Sequence, residues 1–273
     1  MRKRTLKQII IAAVFFFILA GIVFLVYFFN QPGPTCFDGI KNQEEEEIDC
    51  GGPCVSCELS EIEDIQVLWT KSVPTQNNFF DLVAQIRNPN QNYGVGTVPF
   101  IFEVYDTDGN PIAQSSGQTY ILPNQTKYII EPKVKISQSW GEIKISFGEI
   151  KWDKLTDYQA PNLAIQQKEY RLLDYREPGF SQARGVLVNK SSFDFNKVSI
   201  NVLLFDSSGQ LVGLNITEMN TLLSGQERDF IVTWFNKIDN QVVLVEMEAE
   251  TNVFDPDNYL SSGQDIPEKF QQY

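Results

Sequence analysis

The chain has 273 residues, 42% of them hydrophobic and 21% charged, with 22 Lys+Arg, 35 Asp+Glu and no His, giving a formal net charge of -13. Without His there is no Ser-His-Asp or Cys-His nucleophile pair, no His-ligated zinc centre and no imidazole proton shuttle. The acidic balance excludes nucleic acid as a partner, because neutralising phosphates needs clustered Lys and Arg.

The charge is unevenly placed. Arg2, Lys3, Arg4 and Lys7 are the only charged residues among the first 30, so the chain beyond Asn30 carries -17. Residues 1–8 read as a basic tail, and residues 9–29 as a transmembrane helix: Ile9 to Phe29 is 21 residues without a charge. At 1.5 Å per residue that run spans about 31 Å, the thickness of a bilayer's hydrocarbon core. A cleaved signal peptide would have a shorter apolar region, roughly 7–15 residues, ending at a small-x-small site. This run ends in Val26, Tyr27, Phe28 and Phe29 instead. A pilin-type start would carry a Glu early in the apolar run, and none is there. A single-pass signal-anchor is therefore expected in the cell membrane. The basic tail should keep the N-terminus cytoplasmic and leave the C-terminal domains extracytoplasmic.

All four cysteines follow the anchor, in a module at residues 30–58: Cys36, Cys50, Cys54 and Cys57. Outside the membrane, an even count at close spacing implies disulfides, which stabilise a piece too small to build its own core. The rival is a four-thiolate zinc site, since Cys54-x-x-Cys57 has knuckle-like spacing. Cys36 and Cys50 supply no matching second pair. Redox catalysis at Cys54 and Cys57 would want a thioredoxin-like βαβ pattern, which is missing. The same segment is rich in oxygen groups: Asp38, Asn42, Glu45 and Asp49 could ligate Ca²⁺, and the plainer reading is a solvated acidic loop. The D-x-D-x-D-G spacing of an EF-hand is absent, and no other cofactor is expected. The pattern C-x-D-G-x-x-N-x-x-E-x-x-x-D-C-G-G-x-C-x-x-C resembles a short Cys module recurring in secreted and surface proteins of bacteria and archaea. It covers about 22 residues.

The rest of the chain repeats itself. VPFIFEVYDTDGNPIA from Val98 aligns with VSINVLLFDSSGQLVG from Val198, ILPNQTKYII from Ile121 with LLSGQERDFI from Leu222, and LVAQIRNPN from Leu82 with ARGVLVNKS from Ala183. The offset is 100 or 101 throughout, so two copies of one unit are expected, at 59–158 and 159–256. Within each copy the apolar period is two, as in Val98, Phe100, Phe102 and Val104, which is the pattern of strands with one buried face. Asp106 to Gly109 and Asp206 to Gly209 read as hairpin turns. Short strands with turns every 8–12 residues predict a mainly β chain with two tandem β-sandwiches.

The strand ending Val104-Tyr105-Asp106, and its copy Leu204-Phe205-Asp206, resemble FxLYD-type domains of prokaryotic surface proteins. Arg87-Asn88-Pro89-Asn90 with Tyr120-Ile121-Leu122-Pro123 is similar to type-2 late-embryogenesis-abundant domains. Both groups imply immunoglobulin- or fibronectin-like sandwiches, and neither is an enzyme family. The second copy departs from the pattern, with Lys190 where the first has Pro89.

Tests for catalytic chemistry return nothing. Asp106-Thr107-Asp108-Gly109 breaks the D-T-G of an aspartic protease, and no P-loop, Rossmann glycine pattern, G-x-S-x-G or metalloprotease motif occurs. Trp69, Trp140, Trp152 and Trp234 sit on or beside strands and read as core. Asn124, Asn189 and Asn215 head N-glycosylation sequons. The polar stretch 257–273 reads as a loose tail. The expectation is a non-enzymatic, membrane-anchored structural or binding protein at the cell surface: an envelope component, adhesin-like spacer or accessory subunit whose partners are other envelope proteins or surface ligands. The alternative is a membrane-proximal module for lipid or another apolar ligand.

Overall fold

The structure, a computed structural model, describes residues 3–29, 35–57, 62–155, 158–238 and 241–258. Residues 1–62 and 63–273 form two separate compact units.

In the first unit, helix α1 (Lys3–Phe29) contains an apolar stretch, Lys7–Tyr27, of mean hydropathy 3.3 with none of it buried in protein. Every face of that stretch is apolar, so it has no polar side to turn to water. It is long and apolar enough to cross a membrane. The Cys module follows, and in residues 35–56 it consists of turns and bends with one bridge, Glu47 to Cys50.

Among the described residues, the second unit is β apart from one short 3-10 turn. The first repeat contains β1 (Gln66–Pro74), β2 (Phe79–Arg87), β3 (Tyr93–Tyr105), β4 (Pro111–Ile121), β5 (Thr126–Lys135) and β6 (Glu142–Phe147), with a two-residue strand β7 (Asp153–Lys154) on the start of β3. The second contains β8 (Leu163–Leu172), β9 (Ser181–Asn189), β10 (Phe195–Asp206), β11 (Leu211–Leu222), β12 (Glu227–Trp234) and β13 (Val242–Glu250). Each repeat builds two antiparallel sheets with the same strand order: β1-β2-β5 facing β4-β3-β6, and β8-β9-β12 facing β11-β10-β13. The internal repeat of the sequence is thus a repeat of topology.

The inward residues are those the period-two pattern selects. Leu82, Ala84 and Ile86 of β2 meet Val98, Phe100, Phe102 and Val104 of β3 in the first core. Ala183 and Leu187 of β9 meet Val198, Ile200, Val202 and Leu204 of β10 in the second. Each such Leu, Ile or Phe contributes about 1.5–3 kcal/mol on burial.

The turns repeat too. Asp106 Oδ1 accepts the Asp108 and Asn110 amides at 2.9 and 2.8 Å, and Asp206 Oδ1 accepts those of Ser208 and Gln210 at 2.9 and 3.0 Å. Asn88, fully buried, donates Nδ2 to the carbonyls of Tyr93 and Leu122 at 2.6 and 2.9 Å. Asn189, also fully buried, donates to Phe193 and Leu222 at 2.7 and 3.2 Å.

The β unit includes residues beyond the expected boundary at 256. A 3-10 turn at Pro256–Asn258 buries Asn258, whose Oδ1 accepts the Lys197 amide at 2.7 Å, so the first residues of the expected tail belong to the second unit. Residues 259–273 lie outside the described residues.

Candidate functional site

The Cys module is closed by two disulfides, Cys36–Cys54 and Cys50–Cys57. All four sulfurs are spent in these bonds, so the zinc reading falls: a disulfide sulfur is not a thiolate. Gly52 shows why the D-C-G-G string is needed. It has φ of +58°, and a Cβ there would lie 2.6 Å from the Glu44 carbonyl oxygen.

The structure brings the four oxygen-bearing residues of the module together, and their bonds run to the loop's own backbone. Asp49 Oδ1 accepts the amides of Asp38 and Gly39, both at 3.0 Å. Glu45, buried, uses Oε2 to accept the amides of Asn42 and Asp49 at 3.1 and 3.2 Å. Asp38 accepts from Thr35 and Ile40 and takes the Asn42 Nδ2 at 3.0 Å. The amide of Thr35, with help from Asn42, holds the Asp38 carboxyl below its ordinary range. These carboxylates supply acceptors that strand neighbours would supply in a sheet. Glu45 Oε1 also lies 3.2 Å from Cys54 Sγ, packing the buried acid against the first disulfide.

The sequons differ in setting. Asn124 is exposed in a turn with φ of 52°. Asn215 is half-buried, and its Nδ2 donates to Thr233 O at 3.2 Å. Asn189 has its amide nitrogen inside the fold, on two carbonyls, where no glycan fits in the folded chain.

The largest unanticipated feature is the joint between the repeats. A third apolar cluster combines Trp69, Val73, Val83, Tyr128 and Ile130 of the first repeat with Leu203, Phe205, Leu211 and Leu214 of the second. The outer face of sheet β1-β2-β5 therefore lies on the outer face of sheet β11-β10-β13. The Trp69 and Tyr128 rings lie 5.6 Å apart there, and Lys71 Nζ sits over both Trp69 and Phe205, at 5.1 and 5.4 Å.

A polar row borders this cluster. Glu246, Glu248 and Glu250 alternate along β13, opposite Leu203, Asn201 and Ser199 of β10. Buried Lys127 pairs with Glu250 at 2.6 Å and lies 3.8 Å from the centroid of the Tyr120 ring. Tyr128 donates its hydroxyl to Glu246 at 2.7 Å, and its backbone amide, on the free edge of β5, to Glu248 at 3.2 Å. Burial, reinforced by the charge of Glu250, pushes the Glu248 carboxyl up to about 7. Burial and Glu246 likewise hold the Tyr128 phenol protonated.

The aligned positions show which faces are mated and which are free. Val83, fully buried in the joint, corresponds to Arg184, whose side chain is 58% exposed and pairs with Glu169. Tyr128 corresponds to exposed Asp229, and Leu203 to half-buried Glu103. One position is apolar where its face is covered and charged where it meets water. The signal lay in the strand pattern: Val202-Leu203-Leu204-Phe205 abandons the period of two, as a strand buried on both faces does. The glutamates left no such trace, because Glu246-Met247-Glu248-Ala249-Glu250 reads as an ordinary strand with a wet face.

Both sandwich interiors are filled, with Leu82, Ile86, Phe102, Phe195, Leu187 and Leu204 each under 2% exposed. Open space lies at the surface instead. One cleft of about 720 Å³ runs between β11 and β12 past Ile216, Ile231, Phe235 and Lys133. Another, of about 680 Å³, is lined by Phe254, Glu149, Lys151, Asp153 and Asp255. Compared with protein-family models and with curated proteins, the chain matches none.

Proposed function

We propose that this chain is a single-pass membrane protein whose two β-sandwiches stand outside the cytoplasm as one stiff arm. Its role is structural or binding rather than catalytic, as an envelope component, adhesin-like spacer or accessory subunit. The observation that carries this reading is the pair of disulfides directly after the apolar helix. Disulfides persist in oxidising compartments, so the chain after the helix belongs outside. The basic residues ahead of the helix favour the same orientation. The resemblance to FxLYD-type and late-embryogenesis-type surface domains is part of this proposal.

The joint supports the stiffness. A buried apolar cluster fixes the two sandwiches against each other, whereas tandem domains on a bare linker would swing. The buried side chains that occupy the centre of each sandwich favour protein or surface-ligand partners over lipid. The contacts available to them are the free outer faces, the strand edges and the open clefts.

Protease added to intact cells or spheroplasts tests the topology. Cleavage of the β unit without lysis, and thiols that react with maleimide only after reduction, are the expected results. Protection of the β unit until lysis would overturn the orientation.

A further inference from the structure

The joint contains an imbalance of charge. Three carboxylates, Glu246, Glu248 and Glu250, line one face of β13 and are covered by the first repeat. Among the described residues, the cation that meets them is Lys127, paired with Glu250 at 2.6 Å and acting through space on Glu248 as well; Lys71, also in the joint, sits over Trp69 and Phe205 instead. Lys168 of β8 is exposed and turned to the Met247 carbonyl at 3.2 Å, and Lys197, further along β10, is exposed and paired with Glu218 at 2.6 Å. The remaining groups facing the row are Tyr120 of β4, Tyr128 of β5 and the Asn201 side chain of β10. None brings positive charge. Ionised carboxylates in a desolvated interface need a counter-charge or a proton, and only one has a lysine.

We propose that the joint between the two sandwiches is a proton-operated clasp, in which Glu248 carries a proton while the repeats are docked and loosens the β5–β13 contact when it ionises.

The geometry makes Glu248 the member that holds the proton. Glu250 has Lys127 and the Tyr120 hydroxyl, and Glu246 has the Tyr128 hydroxyl at 2.7 Å. Glu248 has a backbone amide and a neutral side-chain amide; both favour the carboxylate, but neither brings a full charge, and burial outweighs them. Glu250, two residues on, raises it further by its charge, which Lys127 offsets only in part. The docked carboxyl, raised to about 7, holds its proton more tightly than an undocked one near 4.5. Docking is therefore strongest below about pH 4.5 and weakens as pH rises to about 7. Asp81, two residues before Val83 on β2, also has its carboxyl raised by burial, an effect eased by the amide and charge of Lys133 on its own sheet.

The test is hydrogen exchange on the full chain in detergent micelles, followed by mass spectrometry of peptides covering 125–131 and 244–250. Corrected for intrinsic base catalysis, protection of these peptides should fall at least about tenfold between pH 5.5 and 8.5, within the limit set by the raised carboxyl. Glu248→Gln keeps the acceptor and removes the charge, so its protection should be high and flat across that range. If Glu248→Gln fails to fold, Trp69 fluorescence in the wild-type chain, assigned by difference from Trp69→Phe, reads the same joint. A midpoint between pH 6 and 8 is expected. Flat wild-type protection, a wild-type slope retained in Glu248→Gln, or fluorescence with no midpoint in that window would each overturn the clasp.

Discussion

Asn88 and Asn189 hold their turns from the inside. Each is fully buried, gives its amide hydrogens to two carbonyls and receives an amide two residues on, from Asn90 at 3.0 Å or Ser191 at 2.9 Å. Truncating either one removes its bonds to both carbonyls, and losing the partner of a buried polar group costs about 1–3 kcal/mol. Asn189→Ala should lower stability by about 2 kcal/mol, read as an earlier midpoint in urea, whereas Asn124→Ala on the exposed turn should stay within about 0.5 kcal/mol. The equivalence of the two Asn residues was legible as an aligned letter, but its burial was not. Asparagine in a turn is usually wet, and only the fold shows both carbonyls closing over it.

At the scale of the strand, the joint rests on residues that the opposite repeat replaces with charge. Val83→Arg imports the Arg184 side chain into a covered face, and Leu203→Glu imports Glu103. Neither position points into a sandwich core, so each repeat should keep its own fold while the joint opens. The expected loss is about 2–4 kcal/mol, since an unpaired charge is being buried. It would show in calorimetry as one transition splitting into two. A single transition at the wild-type temperature would mean that the joint contributes nothing to stability. The strands, their turns and the repeat were readable because alternation and Asx turns are local. The joint was not, because the choice of which outer face to cover is made between residues more than 100 apart in sequence, such as Tyr128 and Glu246.

The whole molecule separates its means of stabilisation by region. All four cysteines lie in the first compact unit, and the second is held by apolar burial and hydrogen bonds without a disulfide. Reductant should therefore release the Cys module, where each bridge is worth about 2–4 kcal/mol, and leave the melting temperature of the β unit unchanged. Differential scanning calorimetry with and without a phosphine reductant decides this, and a lowered β-unit transition would contradict it. The joint also carries a consequence for assembly. It pairs two unlike faces, and a heterologous contact of that kind has no symmetry to close it. Stacking could continue from molecule to molecule without end, were the remaining two faces equally apolar. Arg184 with Glu169 on one free face, and Glu103 on the other, act as the stops. The pattern of charge across the duplicated strands thus works against continued stacking from molecule to molecule.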